Sequence, residues 1–186
     1  THTYRIEVFW HGEVDGRAVD VHSQIAHLGI ESVTRVHVSN LYFLRGALTA
    51  DEIERIATEF LVDPIVEGYR WFLPAGGEVS SSPPSGGTEG GQRIEVAFHP
   101  GVTDPVAKHL LHRARQLGVG ALEAVVTGTR YTFDGPVSPA ELRRIAEELL
   151  CNPVIQSYTL GPMQPEFVPD AAPSDAVDII PIRNLD

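Results

Sequence analysis

The chain has one cysteine, and only 14 Lys and Arg residues against 25 Asp and Glu over 186 residues. Each scarcity excludes something. With Cys151 alone no intrachain disulfide can form, and such thiol usage fits a reducing compartment, so a cytoplasmic location is expected. A formal net charge of −11 repels phosphate backbones and anionic bilayers, and no basic run offsets it, so neither nucleic acid nor a membrane is an expected partner. No apolar run approaches the ~20 residues of a membrane-spanning helix. The phosphate-loop pattern GxxxxGK[ST] is absent, and Gly86-Gly87 and Gly90-Gly91 have neither a strand before them nor a helix after.

What is present is a duplication. Arg5-Ile6-Glu7-Val8 returns as Arg93-Ile94-Glu95-Val96, and Asp63-Pro64-Ile65-Val66-Glu67-Gly68-Tyr69 is answered by Asn152-Pro153-Val154-Ile155-Gln156-Ser157-Tyr158. The offset is 88 residues at the start and 89 after a slip near Gly12 and Gly101, with about a third of aligned positions identical. A period this long marks a duplicated small domain, not a solenoid turn. Each copy of about 70 residues is near the lower limit for an independent core, so packing the copies together as a pseudo-twofold pair is expected.

Within each copy the hydrophobic period switches between two and 3.6. Ile6, Val8 and Trp10 alternate along a first strand, as do Ile94, Val96 and Phe98. A helix follows, its apolar stripe carried by Ala18, Val21, Ile25 and Leu28 or by Ala107, Leu110, Leu111, Ala114 and Leu117, and stopped by Gly29 or Gly118. Residues 33–38 and 41–45 around Ser39-Asn40 predict a hairpin, as do 122–127 and 130–134 around Gly128-Thr129. Capping boxes at Thr49–Glu52 and Ser138–Glu141 open a second helix, and Pro64 or Pro153 precedes a last strand. The order strand, helix, strand, strand, helix, strand predicts an α+β fold: two tandem βαββαβ ferredoxin-like repeats with antiparallel sheets and helices on one face. Boundaries follow as repeat one at 1–73, a Gly/Ser/Pro linker at 74–91, repeat two at 92–161, and an extended, acidic, proline-rich tail at 162–186.

Candidate chemistry is sparse. Cys151 takes the place of Val62 and reads as a small apolar side chain; His109 and His112 share a helix but fall away from its apolar stripe. His22 stands where copy two has Leu111 and is expected to be half-buried. Glu7 and Glu95 are matched strand residues beside Arg5 and Arg93, and cross-strand ion pairs account for them without acid–base chemistry. No catalytic, cofactor-binding or metal-binding residue is therefore assigned. The helix-free face carries more information: Phe9, Leu41 and Phe43 of copy one point onto it, opposite in sense to Ile6, Val8, Tyr42 and Leu44, and an apolar surplus there implies a contact.

His99-Pro100-Gly101-Val102-Thr103-Asp104-Pro105, the glycine at Gly128, and Leu149 to Tyr158 with its Asn152-Pro153-Val154-Ile155 core together resemble PurS, the small subunit of phosphoribosylformylglycinamidine (FGAM) synthase. Copy one is more diverged, keeping Gly12, Asp15 and the Asp63-to-Tyr69 run but having Gly16 where the first-turn proline belongs. Copy two has Val106-Ala107 where the family pattern has a glycine after Asp-Pro. Together the copies span about 75% of the chain.

The resemblance implies a non-catalytic module of purine biosynthesis that joins an ATP-dependent PurL-type synthase domain to a PurQ-type glutaminase and helps ammonia pass between them. It implies no cofactor in this segment, with ATP and magnesium belonging to the complete ligase. The expected contact residues are Phe9, Gly12, Asp15, Leu41, Phe43, Pro100, Gly101 and Asp104, and further dimerisation is compatible with it. The apolar stretch 177–182 followed by Asn184 and Asp186, both helix-capping types, reads as the threshold of another element, the front of a fused PurS–PurL chain. The rival reading is a tandem ferredoxin-like regulatory domain binding a small metabolite where the repeats meet.

Overall fold

The computed structural model describes residues 1–73, 78–79 and 92–168. Most of the predicted linker and the tail beyond 168 lie outside the described residues. The architecture is α+β: four helices on one face of an antiparallel sheet ordered β4-β3-β1-β2-β6-β5-β7.

The first half runs β1 (His2–Trp10), α1 (Gly16–His27), β2 (Arg35–Gly46), α2 (Ala50–Ile56) and β3 (Glu67–Phe72). The two-residue β4 (Glu78–Val79) pairs with the end of β3. The second half keeps the order: β5 (Gln92–Phe98), α3 (Pro105–Gln116), β6 (Leu122–Asp134), α4 (Pro139–Ile145) and β7 (Gln156–Thr159). The local signals act where the sequence puts them. Asp15 and Asp104 cap α1 and α3, and Gly29 and Gly118 take φ values of 77° and 81° just beyond them. Both capping boxes form, with Thr49 and Ser138 accepting from the Glu52 and Glu141 amides and each glutamate accepting in return. Each second helix then widens into a single π-helical stretch, Ala57–Leu61 and Ala146–Leu150.

The predicted hairpins do not form. Residues 35–38 and 41–45 belong to one continuous strand, β2, which Val33 and Thr34 precede, and 122–134 to another, β6, so each half supplies strand–helix–strand–helix–strand. The reason is pairing across the halves: β2 and β6 lie antiparallel over almost their whole length, from Arg35 opposite Asp134 to Arg45 opposite Ala124. A segment whose backbone groups are met on both sides of its midpoint has no reason to turn. Gly128 serves close approach instead of a turn: a Cβ there would lie 2.8 Å from the Val96 carbonyl oxygen of β5.

The helices are exchanged between the halves. One core gathers Tyr4, Ile6, Val8, Ile53, Ile56 and Trp71 from the first half with Leu110, Ala114 and Leu122 from the second. The other gathers Ile25, Val36 and Val38 with Ile94, Phe133, Leu142 and Ile145. Thus α1 closes the core of the second half and α3 that of the first, and neither core is complete from one half's residues.

Candidate functional site

The helix-free face of the sheet concentrates charge in a dry setting. Strand alternation aims Arg5, Glu7 and Phe9 of β1, Arg70 of β3, Glu95 and Ala97 of β5 and Arg130 of β6 toward it, because Ile6, Val8, Tyr69, Trp71, Ile94, Val96 and Phe133 face the helices. Arg130 sits between the two glutamates, its Nε donating to Glu95 Oε1 at 2.8 Å and a terminal nitrogen to Glu7 Oε2 at 2.6 Å. Arg5 donates to Glu95 Oε1 at 2.6 Å, and Arg70 makes two bonds to Glu7, each 3.2 Å. Glu95 is fully buried and Glu7 nearly so. Burial alone would raise the Glu95 carboxyl, but the hydrogen bond and charge of Arg5, the Met163 amide and the Arg130 charge together hold it below the usual carboxylate range.

That Met163 amide belongs to a strap. Residues 162–168 cross the helix-free face; the Met163 N–H bonds Glu95 Oε2 at 2.8 Å, and its side chain fills a cluster with Leu41, Phe43 and Ala97, flanked by Val126 and Phe167. The Arg45 guanidinium stacks 4.7 Å over the Phe167 ring. Leu41 and Phe43, expected to contact another body, are thus covered by the chain's own strap. Phe9 is also buried, with Arg70 over its ring. An open groove of about 1460 Å³ runs from beside the strap, where Phe9, Phe43, Met163 and arginines bound it, past the end of β1 to Ala18 and His22 of α1.

The loops before α1 and α3 are placed differently. Pro100 and Gly101 are exposed, Gly101 at φ 87°, while Gly12 is half-buried where a Cβ would meet the Trp10 indole. Asp15 accepts from the Arg17 amide; Asp104 accepts from the Ala107 amide and from both N–H and O–H of Thr127 on β6, which ties its loop to the sheet. The eight expected contact residues therefore separate into a buried set on the sheet face and a loop set at the helix starts.

Of the other candidates, His109 and His112 are exposed, His112 being bonded to Gln116, and among the described residues no group of three or more His, Cys, Asp or Glu is arranged to hold a metal. His22 is half-buried, with Nε2 3.2 Å from the Val33 carbonyl. Cys151 packs against the second core, and burial pushes its thiol up, away from nucleophile chemistry. The sequence reading missed Arg70, Arg130 and Met163 as site residues. It also passed over Ile65 and Val154, equivalent positions that stand 82% and 80% exposed on turns braced by Asp63 and Asn152.

Comparison with known families bears on the second half. Residues 92–163 match the family model described as PurS, phosphoribosylformylglycinamidine (FGAM) synthase. The matched span runs from β5 through β7 into the strap and ends on Met163, which bonds Glu95. No curated protein matches the chain.

Proposed function

We propose that this chain is a PurS-type assembly module of FGAM synthase in which two family units are fused in tandem as a pseudo-dimer. The observation that carries the reading is the family match over 92–163, joined to the same element order in residues 1–73. Support for a fused pair comes from the central register. Asn40 lies opposite Thr129, its own equivalent 89 residues on, as a residue on a twofold axis would. The exchanged helices are a further reason to regard the halves as one folding unit.

In this role the module works by binding. Ammonia released by a glutaminase must reach the synthase site before water protonates it, so the two active sites need a fixed, shielded junction. A platform with two interlocked cores and a salt-bridged face can hold that junction without a catalytic residue. A PurL-type synthase domain and a PurQ-type glutaminase are the proposed partners, with ATP and magnesium bound by the former, and the loops at Gly12–Asp15 and Pro100–Asp104 are the proposed contacts. Reconstitution tests this: adding the chain to such a synthase and glutaminase should yield a ternary complex on size exclusion, and a charge placed at Gly101 (Gly101→Asp, Gly101→Lys) should weaken it. Failure of the chain to enter any complex with either partner would remove the proposal.

A further inference from the structure

On a chain of net charge −11, five of the 14 basic residues line one groove. The groove, which runs from the helix-free face past the end of β1 to α1, is lined by Arg5, Arg35, Arg70, Arg93 and Arg130, against three carboxylates, Glu7, Glu13 and Asp15. At its floor three arginines, Arg5, Arg70 and Arg130, share two glutamates, Glu7 and Glu95, in side chains no more than 18% exposed. That set carries an excess positive charge where little water reaches it. Arg5 adds a second unmet demand, since its Nε is buried with no hydrogen-bond partner among the described residues. A bound oxyanion offsets the charge, and a turn of the Arg5 guanidinium toward the groove brings its Nε–H to the same oxygens.

We propose that this groove is a binding site for a small phosphate-bearing metabolite, its phosphate received by Arg5 above the Arg130–Glu95 floor. A phosphate suits the charge better than a single carboxylate. It carries close to two negative charges, and its tetrahedral oxygens accept from guanidinium groups that do not share a plane. The volume of about 1460 Å³ leaves room for the rest of the molecule, and Phe9, Phe43 and Met163 offer an apolar wall to it. The strap segment 162–165 forms one side, so the site is assembled from both halves and the strap. The inference goes beyond the assembly role and does not depend on it.

The test is a titration of the whole chain followed by the Nε–H signals of its arginines in ¹H–¹⁵N spectra, with inorganic phosphate, glucose 6-phosphate, glucose and sodium chloride at matched ionic strength. Saturable shifts of Arg5 and its neighbours with both phosphates, and none with glucose or chloride, are expected. Arg5→Lys, which keeps the charge but loses Nε–H, should weaken glucose 6-phosphate binding by about tenfold or more. Gln164→Glu, an exposed groove-lining residue on the strap next to Met163, places a negative charge beside the floor and should weaken binding measurably while leaving the fold intact, and decides the matter if the Arg5 variant does not fold. Shifts that merely track ionic strength, saturation at some other surface, or an affinity unchanged in the folded variants would overturn the site.

Discussion

Arg130 bonds Glu7 across 123 residues of sequence, a terminal guanidinium nitrogen lying 2.6 Å from Oε2 with both side chains withdrawn from solvent. The same guanidinium holds Glu95, the equivalent of Glu7 in the second half, while the position equivalent to Arg130 itself is Leu41. One arginine thus serves two matched glutamates. A homodimer could not arrange this, because any residue near its axis would be present twice. Arg130→Ala should lower stability by about 3–5 kcal/mol in denaturant unfolding, since it strips a partner from two buried carboxylates. Adding Glu7→Gln should recover part of that loss, whereas full additivity would show that the pair does not interact.

Glu95 makes the stability depend on acid. Its carboxyl is held below 4.5 in the fold, so it contributes stability that is complete above the unfolded value and is lost as pH falls through the lower, folded value. Unfolding free energy should decline below about pH 4.5. In Glu95→Gln the protein should start less stable at neutral pH and show a shallower acid decline. Parallel acid profiles for the two proteins would contradict this assignment.

Gly46 and Gly135, 89 residues apart, end the two long strands where the other half's connection passes. A Cβ at Gly46 would lie 2.2 Å from the Ala121 carbonyl oxygen, and one at Gly135 would lie 2.1 Å from that of Ser32. Backbone cannot yield as a side chain can, so Gly46→Ala should cost roughly 1–3 kcal/mol. Gly135→Ala should cost more, because Gly135 also sits at φ 117°, a region strained for any residue with a Cβ. Thermal melts of the two variants give the order directly, and equal melting temperatures would refute it.

Met163 anchors the strap in a thin cluster with Leu41, Phe43 and Ala97. Met163→Ala should cost ~2–5 kcal/mol if the strap stays seated. If the strap detaches, Leu41 and Phe43 become exposed and the variant should bind a hydrophobic dye that the parent chain excludes. A variant as stable and as dye-free as the parent would mean that the strap contributes nothing to the face.

Much of this was legible in the residues, and the division has a physical cause. Capping boxes, helix-stopping glycines and the alternation of Ile6, Val8, Ile94 and Val96 are local signals and act wherever the chain goes. The continuity of β2 and β6 depends on each strand meeting the other half, information spread over about 90 positions. Gly128 accordingly looked like a turn residue when its work is to let β5 approach. Arg130 lies on a strand face the sequence left open, so nothing local distinguished it from a solvated arginine. Met163 follows a proline-rich transition that signals an extended chain but not where the chain lands. The family resemblance points to Asp15 and Asp104, and the fold uses each as a helix N-cap; Phe9, Leu41 and Phe43 lie on the expected face, but the body covering Leu41 and Phe43 is the chain's own strap.

The most direct measurement is FGAM formation by a PurL-type synthase and a PurQ-type glutaminase, assayed with and without this chain, using either glutamine or free ammonia as nitrogen source. Omitting the chain should abolish the glutamine-dependent reaction while the ammonia-dependent one persists. Glutamine-dependent turnover at the same rate in its absence would contradict it.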